Sequence, residues 1–202
     1  MNGIIKDTII ITAITLIAGI LLGASYMITK DPIARQEELA KQKACQEVFA
    51  DADSFEAYGD VEEDLQAYVS TECGYAAQSI DEIFTAYSAS KEVVGYVINV
   101  TSKEGYGGSI SFAMGVDFDG TLNGISFLSI GETPGLGMKA DTDEFKNQFV
   151  GKKADVLVYT KTGAAAEHEI DAISGATVTT NAVTNGVNAG LAAVKYLKGG
   201  NN

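Results

Sequence analysis

Thr177 closes the segment Asp171-Ala172-Ile173-Ser174-Gly175-Ala176-Thr177, where a predicted strand gives way to a predicted helix. The first N–H groups of a helix lack internal partners and the helix dipole is positive at that end, so such a junction receives anions. Gly175 and Ala176 are small enough to let a phosphate reach the backbone, and Thr177 places an alcohol oxygen in the first turn. An ordinary helix start with Ser174 as its N-cap has the same four residues. A second segment, Gly131-Glu132-Thr133-Pro134-Gly135-Leu136-Gly137, combines three glycines with a proline. Its shape is therefore enforced, and it brings backbone against a flat ring while Glu132 and Thr133 offer polar contacts. Alone, it is equally a strand-to-helix turn.

The other reactive side chains exclude more than they propose. Cys45 and Cys73 match no metal spacing and no CxxC pair, and are either bridged outside the cytoplasm or free. His168 has no second histidine or cysteine near it, so no metal site is expected. Asp117 and Asp119 lack the run of ligands and the distal Glu of a calcium loop and read as a hairpin turn with Gly120. No G-x-G-x-x-G follows a strand, which argues against a dinucleotide site. A formal net charge of −13 argues against nucleic acid, which needs a basic face. The acids from Asp51 to Asp64 read as a solvated surface, or otherwise as a face for a cationic partner.

These segments need elements to position them. Residues 8–29 carry no charge, and a helix of that length spans about 33 Å at about 1.5 Å per residue, enough for one membrane crossing. The apolar run is longer than that of a cleaved signal peptide, so it reads as a retained anchor. Asp31-Pro32 is a good helix start, predicting a fresh helix from Ile33 to about Phe49. An irregular acidic stretch to about Ser79 and a short helix over 80–90 are expected next. Strands are predicted at 93–100, 109–118, 124–130, 154–160 and 167–173, with a short helix at 141–149. In the last helix, from Thr177 to about Leu197, Gly186 and Gly190 offer a small face for close packing. Strands in the middle with helices before and after predict an α+β fold: an antiparallel sheet with flanking helices behind one N-terminal transmembrane helix. The expected domains are an anchor over 1–30, a helical linker and acidic stretch over 31–75, and a binding domain over 76–202.

Together, Glu132–Gly137 and Asp171–Thr177, in this order and after the Gly105-Tyr106-Gly107-Gly108 turn, resemble the FMN-binding domain of the G subunit of the Rnf electron transport complex. The same domain occurs in the C subunit of the sodium-translocating NADH:quinone oxidoreductase. The resemblance covers nearly the whole chain; the compact length of 202 residues favours the Rnf protein, and Gly131 before the first motif is a departure from many relatives. It implies FMN joined through its phosphate to Thr177, with Ser174, Gly175 and Ala176 at the phosphate and Glu132, Thr133, Gly135, Leu136 and Gly137 over the ring. It implies a separate flavin transferase that recognises the segment from Asp171 to Thr177; no base stands near Thr177 in sequence to activate it. No residue is expected to be catalytic; the chain would relay electrons within the complex, which moves them between ferredoxin and NAD⁺ with ion transport. The resemblance places the protein in the cell (inner) membrane, single-pass, with the soluble domain outside the cytoplasm. Lys30, Arg35, Lys41 and Lys43 after the span favour the opposite side by the positive-inside rule. The C subunit of the quinone reductase and a flavin-free, membrane-tethered interaction domain are the alternatives.

Overall fold

The computed structural model describes residues 2–199. The chain divides into two compact units, Met1–Ala40 and Lys41–Asn202. Helix α1 (Asn2–Val48) makes up the first unit and ends in the second. Among the described residues it is the one helix long and apolar enough to cross a membrane, with a mean hydropathy of 2.2 in its most apolar window and none of that window buried. Thr8, Thr12, Thr15 and Thr29 each donate their hydroxyl to a carbonyl one turn back, as Thr12 Oγ1 does to Thr8 O at 2.8 Å. The threonines therefore add no unpaired donor to an apolar surface. The expected helix start at Asp31-Pro32 is absent, because α1 runs through Pro32. Proline's fixed φ is compatible with a helix; its missing N–H leaves the Ile28 carbonyl without a donor but does not force a break.

The second unit is built on an antiparallel meander, β1 (Ser54–Ala57), β2 (Gln78–Tyr87), β3 (Val93–Ser102), β4 (Ile110–Asp117) and β5 (Leu122–Ser129), in that spatial order. Between β1 and β2 lie the short helix α2 (Glu63–Ala67) and a π-turn (Tyr68–Glu72), so the stretch expected to be irregular has structure. β2 replaces the helix expected over 80–90. Its register shifts between Ile80 and Glu82, and this bulge turns Ile80 and Ile83 to the same face. Two apolar residues three apart imitate helical periodicity, and the bulge is what produces that spacing in a strand.

Both sheet faces are covered. Helix α4 (Thr177–Gly199) lies on one, burying Ala182, Val183, Val187 and Val194 with Ile98, Phe112 and Met114. Gly186 and Gly190 set its distance: a Cβ on Gly186 would fall 2.8 Å from Phe112 Cζ, and one on Gly190 would strike Met114 Sδ. Against the other face, Ala44, Cys45, Val48 and Phe49 at the end of α1 bury with Ala86, Val97 and Ala113. After β5 come a 3-10 turn (Gly137–Asp141), α3 (Asp143–Lys146) and a second 3-10 turn (Asn147–Phe149), which fill the helix expected at 141–149. Two short strands, β6 (Val158–Thr160) and β7 (Glu169–Asp171), pair in parallel as a separate sheet.

Cys45 is buried and Cys73 half-buried, and no disulfide joins them. His168 is exposed, and its main-chain carbonyl accepts from Val158 N at 2.9 Å. The Asp117–Gly120 segment forms the expected turn, with Gly120 N donating to Asp117 O at 2.9 Å. Lys153 Nζ, 3.0 Å from Asp119 Oδ2, and the Thr121 N–H, which donates to Asp119 Oδ1 at 3.0 Å, hold the Asp119 carboxyl down at about 2. A depressed folded value means the contribution is present above the ordinary 3.8 and is lost as pH falls through about 2. The Thr121 amide resonance should therefore titrate with a midpoint near 2; a midpoint near 3.8 would show that Lys153 and Thr121 do not stabilise the carboxylate in solution.

Candidate functional site

The first turn of α4 is held by its own threonines. Thr180 is fully buried; its Oγ1 accepts from Ile173 N at 3.0 Å and donates to Ala176 O at 3.0 Å. Ala176 N donates back to Ile173 O at 2.9 Å, so Ile173–Ala176 is a closed turn, and Gly175 takes a φ of +78° within it. Ala176, whose carbonyl accepts from Thr180 N, stands at the helix entry, and exposed Ser174 lies outside it. The half-buried Thr177 then opens the helix. The N–H groups of Thr177, Val178 and Thr179 precede the first intrahelical bond, from Thr180 N to Ala176 O, and stand at the positive end of the dipole.

Asp171 ends β7. Its N–H donates to Gln148 Oε1 at 2.6 Å and its Oδ1 accepts from Ala164 N at 2.5 Å. The carboxylate therefore shapes the approach to the turn while remaining exposed.

Glu132 is 5% exposed, and its Oε1 accepts from Gly107 N at 3.2 Å. The loop after it turns back on Thr133, whose carbonyl accepts from Leu136 N at 3.1 Å and Met138 N at 3.2 Å. Thr133 and Gly135 are exposed. The loop meets the entry to α4 at two places, one in the preceding turn and one in the helix. Leu136 Cδ2 lies 3.2 Å from where a Cβ on Gly175 would stand, and Gly137 packs so closely that its Cβ would fall 2.6 Å from Thr179 Oγ1. Gly107, in the turn that holds Tyr106, packs on the carbonyl of Gly131.

The structure thus brings Glu132, Leu136 and Gly137 together with Gly175 and the first turn that Thr177 begins. Tyr106, Leu136 and Val178, on the three adjoining elements, remain 75%, 45% and 50% exposed. The arrangement combines an anion-receiving helix end, a free hydroxyl and apolar side chains in solvent. It suits a group with a phosphate at one end and a flat ring at the other. Sequence reasoning missed the supporting residues Gln148, Thr179 and Thr180. Their signal is faint: two threonines in a row inside a helix are poor helix formers unless their hydroxyls have partners.

The model of the FMN-binding domain family matches residues 105–192, which include both motifs and the turn. The chain is 34% identical over 200 residues to the G subunit of the proton-translocating ferredoxin:NAD(+) oxidoreductase complex of Clostridium ljungdahlii, covering 98% of this chain and 96% of that one. It is 33% identical over 191 residues to the G subunit of the Na(+)-translocating ferredoxin:NAD(+) oxidoreductase complex of Acetobacterium woodii, covering 92% and 88% respectively. A shorter stretch, 36% of this chain and 31% of the relative, is 50% identical to the C subunit of the Na(+)-translocating NADH-quinone reductase of Pasteurella multocida.

Proposed function

Because this chain belongs to the family of G subunits of ion-translocating ferredoxin:NAD(+) oxidoreductase complexes, we propose that it carries its FMN on a phosphoester to Thr177 and is held in the membrane by α1. The observation that carries the reading is the seating of Leu136 on Gly175 and of Gly137 on Thr179, which joins two motifs far apart in sequence at one helix start.

In this reading the phosphodiester stands at the first turn of α4, where its remaining negative charge is favoured by about 0.3–1 kcal/mol. Ser174, Gly175 and Ala176 leave the backbone open to it. Glu132, Thr133, Gly135, Leu136 and Gly137 cover one side of the ring. Flavin bound there supplies reversible oxidation and reduction, and hydrogen bonds and charge around the ring tune its potential. The chain's residues bind, orient and shield; none performs a bond-breaking step. Activating Thr177 falls to a separate flavin transferase that recognises Asp171–Thr177.

The role is that of an electron-transfer subunit working with the other subunits of the complex between ferredoxin and NAD⁺. The coupled ion differs between the two relatives named above. Likeness to the quinone-reductase relative is confined to about a third of the chain, and so concerns the flavin domain rather than the complex. The soluble domain is placed outside the cytoplasm, against the pull of Lys30, Arg35, Lys41 and Lys43, because the flavin transferase acts there.

Peptide mapping across 162–195 of protein from native membranes tests the reading. An added mass of FMN less one water on Thr177 is expected; an unmodified Thr177 in a colourless protein would leave a flavin-free interaction domain. A second expectation concerns Tyr106, three-quarters exposed on the turn that packs against Gly131 and Glu132. If its ring shields the flavin, Tyr106→Ala raises flavin emission and its quenching by iodide. Unchanged emission and quenching would place the ring elsewhere.

A further inference from the structure

A groove of about 640 Å³ opens at the end of α1, between Phe49, the start of β3, the β4–β5 turn and Val150. Neither Thr177 nor any residue of Glu132–Gly137 lines it. Its apolar lining is poorly covered for residues of the globular unit: Val93 is 39% exposed, and Phe118 and Val150 are each 54% exposed. Glu47, Asp51, Asp117 and Asp119 line the same groove, and no lysine or arginine does.

Neighbouring cations neutralise these acids only in part. Lys153 pairs with Asp119 at 3.0 Å, and Lys43 lies 3.5 Å from Glu47, whose second oxygen accepts from Ser126 at 2.6 Å. Asp117 Oδ1 accepts only a neutral amide, that of Asn123, at 2.8 Å. Lys198 Nζ is turned to the Phe118 carbonyl at 2.6 Å and sits over the Phe118 ring rather than beside a carboxylate. Asp51 is exposed and has no cation among the described residues. Exposed apolar side chains beside uncompensated charge of one sign mark a contact surface rather than a solvated one.

We propose that this groove docks a segment of a partner protein that sets an apolar side chain against Val93, Phe118 and Val150 and flanks it with lysine or arginine. The basic residues are required by the carboxylates: an acidic or neutral segment would leave Asp51 and Asp117 beside apolar surface with no counter-charge. The proposal does not depend on flavin at Thr177.

A photo-crosslinking residue at Val150, in the full chain expressed in its native membranes, tests it, with the same residue at exposed Val156, outside the groove lining, as the control. The expected product joins position 150 to a peptide of another protein with at least two basic residues around an apolar one. Its yield should fall about tenfold with Asp51→Lys, a like-charge penalty, and remain with Asp51→Glu. The fall must occur with the flavin content and thermal melt of the Asp51→Lys protein unchanged. A product with lipid, with a second copy of the chain or with a peptide lacking basic residues overturns the proposal. So does equal labelling from position 156, or a yield that Asp51→Lys leaves unchanged.

Discussion

Thr177→Ala should abolish the proposed covalent attachment of flavin completely while the protein keeps its fold. The Thr177 side chain is half-buried at the first position of α4, and the turn before it is closed by Thr180. Alanine is a good helix former, so losing this hydroxyl costs little stability. What it removes is the oxygen on which the phosphoester would form. Flavin fluorescence in a denaturing gel should be absent and the intact mass should match the unmodified chain, with a melt close to that of the parent. Thr180→Ala is the contrasting variant. It leaves the acceptor oxygen in place but strips the buried Ile173 N–H of its partner, which costs about 1–3 kcal/mol. It should therefore lower the melting temperature and still carry some flavin. A flavin band that survives in Thr177→Ala would move the attachment elsewhere and remove the basis of the proposed function.

Gly137→Ala should unseat the loop without touching the acceptor. The new Cβ would stand 2.5 Å from Glu132 Oε2, 2.6 Å from Thr179 Oγ1 and 2.8 Å from Glu132 Cβ. Ordinary carbon contacts lie near 3.5–4.0 Å, roughly an ångström further out. Glu132 has little room to yield: it is buried, and its other oxygen holds Gly107 N at 3.2 Å. Thr179 is fixed within the helix and 1% exposed. The strain is relieved by lifting the loop off α4, at about 1–3 kcal/mol. The expected result is a lower melting temperature, a Thr177 that is still modified, and a flavin more open to iodide. A protein with the parent's melt and quenching would mean that the loop does not cover the ring.

Local pattern made much of this protein legible in sequence. The uncharged run of 8–29 is long because a helix rises slowly, and length with composition suffices to read it. β3, β4 and β5 carry β-branched and aromatic residues between glycine turns, and α4 repeats Val183, Val187, Leu191 and Val194 at helical spacing. Gly186 and Gly190 were readable as a packing face because only a small residue lets a helix approach closely. The two motifs were readable as well, since glycine, proline and a terminal threonine have few other uses in that order.

Other features arose only when the chain folded. β2 looked helical because its bulge at Asp81 brings Ile80 and Ile83 to one face, and a bulge is settled by the partner strand. Pro32 looked like a helix start because its local preferences allow one, yet the turns on either side continue α1. The parallel pairing of β6 with β7 rests on contacts between separate segments. Above all, composition and spacing name Thr177 and Glu132–Gly137 but not their meeting. The chain alone determined which residues have the right chemistry, because backbone preference, charge and apolar period are local properties. Tertiary structure decided that Leu136 lies on Gly175 and that Gly137 lies on Thr179, because those contacts follow from how closely α4 packs on the sheet, a distance set by Phe112 and Met114 beneath its glycines.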